Sequence, residues 1–448
     1  MNLVNPGFKR DLGLLDAIVV VAGGIVGVGI FANPSNVARV VGDPLLILGV
    51  WAIGGVVALI GGFVWAELAS RFPHVGGQYV YLQRAYPPVV GFLYGIALLF
   101  IINGGSLAAV SILFATYVDR SFVPLGPIGV RAVAALALTS LTAVNAVGVR
   151  AGARTNNTLM AAKVLGMVAL IALAFAHSAR PASAFNLSTA GVQQALTHAS
   201  PSVLLTALVP ILFAYGGWQS CANIAGEIRD PARNLARANV LGVMVVVLLY
   251  LSMNVAYLWV LEPAQVAQSP ALAADVARVA AGPAGARFVA LLIVVSSLGF
   301  LAVVILTGAR LYYAMAADGL FLRRAAQLHP RYRTPVFALW FQTAVSLVLL
   351  MTNTYDQLLS YVVFADWLFF GLTAAALFIV RRTDGRESGE IARVPGHPVT
   401  TGLFVAVAVG IVVNTFVVYP TQSLIGSSIL AAAAAVFVFS RRRLAGVR

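Results

Sequence analysis

The sequence predicts an all-α polytopic membrane protein with twelve transmembrane helices, and three observations carry that prediction. The 448 residues are 60% hydrophobic and only 10% charged, whereas an ordinary soluble domain carries about a quarter charged residues. The mean hydropathy is +0.92, and no polar linker divides the chain as a soluble protein of this length would require. Apolar windows of roughly 20 residues, the length that crosses a bilayer, recur at residues 14–41, 45–70, 89–118, 130–148, 158–176, 203–226, 238–261, 288–314, 335–352, 358–380, 400–418 and 422–439. A β-barrel is excluded, because its strands alternate apolar and polar residues over ~10-residue segments.

Taken in order, the first window is too long for a signal peptide and continues past Gly and Pro without a small-residue cleavage site. It reads Ala22-Gly23-Gly24-Ile25-Val26-Gly27-Val28-Gly29-Ile30-Phe31, a run dense in glycine. The second window carries Glu67 near its end, close to Arg71. The third carries Asn103, Ser106 and Ser111, polar groups that line a cavity or, more often singly, make helix-packing hydrogen bonds. The fifth holds Lys163 about two turns from its start. The sixth reads Phe213-Ala214-Tyr215-Gly216-Gly217-Trp218, followed by Ser220 and Glu227. The tenth holds Asp366. Glu67 and Glu227, each near arginines, read as scaffold or inner-gate charges. Asp366 reads as a structural hydrogen-bonding acid, with proton binding as the other reading. The remaining windows rest on hydropathy.

The formal charge of +14 belongs to topology. Of the 29 basic residues only Lys9 and Lys163 are lysines. With the N-terminus inside, 22 of the 29 fall in inside segments and six (Arg39, Arg120, Arg131, Arg180, Arg278, Arg287) fall outside. That asymmetry predicts two cytoplasmic termini, and no nucleic-acid partner is needed to explain the charge. The single cysteine, Cys221, excludes an intramolecular disulfide and a Cys-based zinc site. His74, His177, His198, His329 and His397 are scattered through loops, so no metal or cofactor is expected.

The glycine-rich first window and the Gly-Gly of the sixth are five spans apart. Breaks are tolerated in a membrane helix only where they line a cavity or lie buried in protein. Corresponding interrupted helices in two halves of a chain point to a midplane substrate site. Unwinding at residues 27–29 frees backbone N–H groups at the start of a half-helix, which hold a carboxylate with help from the helix dipole. Freed carbonyls near Ile25 and around Phe213 and Gly216 accept an ammonium. Close helix packing through small residues is the competing reading.

At these residues the chain resembles the amino acid–polyamine–organocation transporters, and within them the L-type amino acid transporters and their bacterial exchanger relatives. Gly27-Val28-Gly29-Ile30-Phe31 is similar to their first-helix signature, and Phe213 through Trp218 to that of their sixth helix. Ala66-Glu67-Leu68 through Phe72-Pro73 to Gly76-Gly77-Gln78-Tyr79 resembles their inner loop. So does Gly226-Glu227-Ile228-Arg229-Asp230-Pro231 through Arg233-Asn234. The resemblance implies a LeuT-type fold, a 5+5 inverted repeat over residues 14–176 and 203–380 with helices 1 and 6 unwound. Helices 11 and 12 follow at 400–439, between cytoplasmic tails at 1–13 and 440–448. It implies a substrate site at Ile25, Val26, Gly27, Val28, Gly29, Phe213, Ala214, Tyr215 and Gly216, with carboxylate on the amides of Val28 and Gly29. The ammonium would meet carbonyls of Ile25, Phe213 and Gly216, and Phe213 would be the gate. Two positions depart from the pattern. Val28 stands where many relatives have a small hydroxyl residue, and Gln219 where large-substrate members often have Asn.

In sodium-coupled relatives a cation bridges the unwound first helix and a neighbour in the same repeat, where members like this chain carry a fifth-helix lysine. The resemblance therefore implies that Lys163 donates to carbonyls near Gly23 and Gly24 and that transport is sodium-independent. A lysine snorkelling to the interface is the plainer reading. Animal relatives pair through a disulfide with a heavy chain. The matching loop near residues 119–129 has no cysteine, so no disulfide-linked heavy chain is expected. Short tails and Arg-rich usage lead us to expect a bacterial inner (plasma) membrane protein.

The function expected is alternating-access transport of neutral L-amino acids with small to medium side chains, by exchange, with proton-coupled symport as the alternative. Neutral substrates follow because no acid or base stands near the two breaks. A membrane-embedded enzyme would need a nucleophile and base together or a metal cluster, and no histidine lies at membrane depth. A channel would need rings of carbonyls or charges. An ATP-driven pump would need a phosphate-binding loop.

Overall fold

The computed structural model describes residues 11–445 apart from 75, 148, 178–187, 190–192, 194–196, 198, 270 and 384–390. Lys9, Arg10, Arg180, His198, Arg386 and Arg448 lie outside the described residues, as do residues 1–10 of the N-terminal tail and 446–448 of the C-terminal tail. Regular structure among the described residues is helical, apart from one parallel bridge between Leu12 and Ile228.

The helices are α1 (Leu14–Ile25), α2 (Gly29–Val41), α3 (Pro44–Arg71), α4 (Gln78–Ala85), α5 (Pro88–Ala97), α6 (Asn103–Ser121), α7 (Gly126–Val147), α8 (Val149–Ala176) and α9 (Pro201–Tyr215). There follow α10 (Ser220–Asn223), α11 (Pro231–Val260), α12 (Pro263–Gln268), α13 (Leu272–Ala317), α14 (Val336–Thr352), α15 (Tyr355–Arg382), α16 (Val399–Val418) and α17 (Pro420–Ala445). A π-helical stretch, Leu98–Ile102, joins α5 to α6. Helix starts follow capping chemistry. The Asp43 carboxylate accepts from the Leu46 amide at 2.9 Å ahead of Pro44, and the Ser200 hydroxyl accepts from the Val203 amide at 3.3 Å ahead of Pro201.

Eight helices among the described residues are long and apolar enough to cross a membrane, and the bent pair α1–α2 makes a ninth candidate. Three shorter apolar helices, Lys163–Ala176, Pro201–Tyr215 and Val336–Thr352, occupy the fifth, sixth and ninth expected windows. Every one of the twelve windows therefore contains helix. The molecule is a multi-span helical membrane protein, and large apolar side chains such as Leu165, Leu248 and Val348 stand exposed where lipid would cover them. The eighth window starts earlier than expected. α13 begins at Leu272 and changes direction at Ala281 and Gly282, just before Pro283, so its membrane-crossing part follows that kink.

One core of aliphatic and aromatic side chains runs through the bundle. Two aromatic groups flank the sixth window. Trp51, Tyr215 and Tyr250 pack with ring centroids 5.2–6.0 Å apart. Trp218 packs on Trp65 and Phe370, at 6.0 and 5.1 Å.

Candidate functional site

Both expected breaks are present, and they touch. α1 ends at Ile25, Val26 leaves helical geometry (φ −70°, ψ 88°), and α2 restarts at Gly29 with a 41° bend between the two. α9 ends at Tyr215, and Gly216 is extended. Gly217 has φ +122°, and its Cα lies so close to the Gly24 carbonyl that no side chain fits. Gly29 packs equally closely on Ala214. The glycines thus serve close packing and local unwinding together.

A cavity opens between the breaks. Of the residues expected at the site, Gly24, Ile25, Gly27, Val28, Gly29, Phe213, Ala214 and Gly216 line it. Gly23, Val26 and Tyr215 do not. Gly23 is buried within α1. Val26 turns its carbonyl towards Lys163. Tyr215 is buried in the aromatic group, with its hydroxyl donating to the Trp51 carbonyl at 3.4 Å.

The amides of Val28 and Gly29 have no hydrogen-bond partner among the described residues, as expected where a helix begins. The carbonyls are less free than the sequence implied. Ile25 O accepts from Gly27 N at 2.8 Å and from the Tyr250 hydroxyl at 3.1 Å, and Phe213 O accepts from Gly216 N at 3.2 Å. Ser296 from α13 donates to Gly27 O at 3.3 Å, and the Phe300 ring packs over Gly27. The Gln219 Oε1 accepts from Gly217 N at 3.1 Å, so this side chain is committed to the second break.

Lys163 is 1% exposed, which rules out snorkelling. Its Nζ donates to Val26 O at 2.6 Å. The acceptor corrects the expectation of Gly23 and Gly24. α1 stays helical through Ile25, with Val26 N still bonded to Ala22 O at 2.7 Å, so the first carbonyl to swing out of the helix belongs to Val26.

The sequence reading also missed part of the wall. Asn103 and Ser106 line it as anticipated, whereas Ser111 is buried with its hydroxyl on Ala108 O at 2.9 Å. Phe300, Val304, Trp367 and Phe370 complete the cavity with Asp366. An acid therefore stands in the wall that the sequence had read as free of charge. The two other acids singled out lie elsewhere, in ion pairs. Glu67 binds Arg71 at 2.8 Å and Arg381 at 2.6 Å, and Glu227 binds Arg310 at 3.0 Å. Among the described residues no cluster of His, Cys, Asp or Glu could hold a metal ion. Cys221 is buried and makes no disulfide.

Comparison with known proteins adds a family to this geometry. A family model described as "Amino acid permease" matches residues 12–439. The chain is 30% identical over 425 residues to the b(0,+)-type amino acid transporter 1 of Mus musculus, covering 93% of this chain and 83% of that one. It is 28% identical over 404 residues to the serine/threonine exchanger SteT of Bacillus subtilis (strain 168), covering 87% of each. It is 29% identical over 376 residues to the large neutral amino acids transporter small subunit 2 of Homo sapiens, covering 83% of this chain and 70% of that one.

Proposed function

The chain belongs to the amino acid permease family, a family of transporters and not of enzymes, and from that premise we propose that it is a sodium-independent exchanger of neutral L-amino acids with small to medium side chains. The observation that carries the proposal is the Lys163 ammonium on the Val26 carbonyl, 2.6 Å away at the break in the first span. A tethered cation there satisfies the freed carbonyl that a bound metal cation would otherwise satisfy, so transport needs no sodium.

In this reading the substrate carboxylate meets the unpartnered amides of Val28 and Gly29 at the start of α2. The ammonium meets the Gly216 carbonyl and the second lone pair of the Phe213 carbonyl, while both lone pairs of Ile25 O stay with Gly27 N and the Tyr250 hydroxyl. Phe213, half-buried beside the second break, closes over the bound molecule. The twelve windows act as two inverted five-helix repeats, 14–176 and 203–380, followed by two further helices, and the cavity opens alternately to each side. Both termini face the cytoplasm of a cell whose inner (plasma) membrane holds the protein, and no heavy chain is attached by disulfide.

The test is uptake of labelled amino acids into proteoliposomes. Uptake that requires internal amino acid, and is equal in sodium and choline media, is the expected result. Uptake into empty vesicles driven by a pH gradient alone would replace exchange with proton symport. A strict sodium requirement would remove the role given to Lys163.

A further inference from the structure

The tenth span turns a carboxyl into the same cavity. We infer that Asp366, with Asn103 and Ser106, forms the subsite for the substrate's side chain and selects amino acids whose side chain carries a hydroxyl. This deepens the transport reading above and rests on it.

Two contacts fix the level of Asp366. Val362 of α15 meets Gly105 of α6 so closely that a Cβ on the glycine would lie 2.9 Å from the valine Cγ2 methyl group. Further along α15 the Phe369 ring meets Tyr94 of α5, with centroids 5.2 Å apart. Later residues of α15 meet earlier residues of the third span, so the two run antiparallel. Asp366 lies between these contacts, one turn beyond Val362 on the same helix face. That places it level with the π-helical stretch Leu98–Ile102. There the Asn103 amide reaches back to the Leu98 carbonyl, five residues away. The extra residue in such a turn re-aims the side chains that follow, which is why these stretches recur at functional sites. Here Asn103 follows, and with Ser106 one turn later it lines the cavity beside Asp366.

The Asp366 carboxyl accepts no hydrogen bond from the protein among the described residues, and no Lys, Arg or His lines the cavity. A polar side chain of the substrate can supply the partner that the protein does not. A hydroxyl donates once and accepts twice. It can donate to Asp366 while accepting from the Asn103 amide or the Ser106 hydroxyl. A lysine ammonium has no acceptor and offers nothing to the Ser106 hydroxyl. A methyl group leaves the Asp366 carboxyl and the Ser106 hydroxyl without a partner from the ligand. Serine is therefore preferred to alanine, and threonine to its near-isostere valine.

The experiment uses the purified full chain in proteoliposomes loaded with unlabelled alanine, and measures KM and rate for labelled serine, alanine, threonine and valine. The serine-to-alanine and threonine-to-valine preferences are each expected at about 3- to 10-fold, the net size of one hydrogen bond. In Asp366→Ala both ratios fall towards one, whatever the absolute rate. Asp366→Asn, which keeps an acceptor oxygen, retains a reduced preference. A purely structural role would slow all four substrates together and leave the ratios intact, and that result overturns the inference. Equal use of serine and alanine by the unmodified protein overturns it without any variant. Competition by lysine or ornithine that exceeds serine also overturns it, by assigning the carboxylate to a cationic side chain. Absence of any amino acid uptake by the unmodified protein would instead sink the transport reading itself.

Discussion

Removing the ammonium of Lys163 tests how the first break is held. Its Nζ donates to Val26 O at 2.6 Å in a site where the side chain is 1% exposed. A hydrogen bond from a charged donor contributes about 1.5–3 kcal/mol, or roughly 10- to 150-fold in the population of the arrangement it holds. Lys163→Ala removes that bond and leaves the Val26 carbonyl unmatched at the break. It also removes the cost of burying the ammonium. The two effects oppose each other in global stability, so the melting temperature is expected to move little. They do not cancel in transport, because the arrangement lost is that of the first span beside the cavity. Exchange is therefore expected to fall by about 10-fold or more. Lys163→Met, which fills the space of the stem, should behave alike. Lys163→Arg should not rescue, since a planar guanidinium does not replace a compact ammonium at a single carbonyl. The assay is counterflow in proteoliposomes, with folding checked by size-exclusion chromatography and thermal unfolding. Parent rates and affinities for Lys163→Ala on both faces would refute the reasoning.

Gly217→Ala would force a Cβ towards the Gly24 carbonyl at a φ of +122°; with about 1–3 kcal/mol of backbone strain alone, exchange should be lost, and normal exchange would show that the two breaks do not need to touch. Glu67→Gln leaves Arg71 and Arg381 without the carboxylate that both bind, at 2.8 and 2.6 Å. Breaking a buried pair costs about 3–5 kcal/mol, here nearer the lower figure because the Arg381 side chain is 26% exposed, and an unchanged thermal midpoint would contradict it. The His397 ring is held below its ordinary pKa by desolvation and by nearby Arg381. The unfolded chain therefore takes up this proton first as pH falls below about 6.5. Stability is present above that value and is lost as pH drops towards the folded-state pKa. His397→Gln should flatten this part of a plot of thermal midpoint against pH, and an identical slope would exclude the residue.

How much was legible depended on whether a feature leaves a local trace. The breaks were legible because each needs glycine within a few residues of chain, at Gly27 and Gly29 and again at Gly216 and Gly217. Lys163 was legible because a lysine within an apolar window is rare. Its acceptor was not, because the choice between Gly24 and Val26 depends on how far α1 stays helical before it unwinds. The direction of Asp366 was not legible either. A single acid in a long apolar helix has no periodicity to say which face it occupies, and its neighbours Asn103 and Ser106 lie far away in sequence. The π-helical turn passes unseen in Leu98-Leu99-Phe100-Ile101-Ile102, which reads as uniform apolar helix. A faint trace exists at Gly104, whose Cα packs against the Leu99 carbonyl where a side chain would collide. Ser296, Phe300 and Tyr250 support the first break from more than two hundred residues away, beyond the reach of any window.

The contacts divide into two kinds, and the division bears on where the transport path opens. At the breaks the first and sixth spans meet through backbone, with Gly24 against Gly217 and Gly29 against Ala214. At one end of the bundle they meet again, where Leu12 N donates to Glu227 O at 3.0 Å and Arg229 N to Leu12 O at 2.9 Å. Around that second meeting lie the ion pairs of Glu227 with Arg310 and of Glu67 with Arg71 and Arg381. The Ser70 hydroxyl also accepts from Ala392 N there, at 3.1 Å. An apolar seal that opens must expose its surface to water at a cost of about 25 cal/mol per Å². An ion pair that opens exchanges its partner for hydration, which recovers much of what desolvation had cost. A seal made of ion pairs and short backbone bonds can therefore open with a small net change in free energy, while the backbone contacts at the breaks persist and keep the cavity assembled. Alternating access would in that case separate Glu67 from Arg381 before it disturbs Gly24 and Gly217, and the broken spans, joined at Leu12 and Glu227 as well as at the breaks, would move as one body.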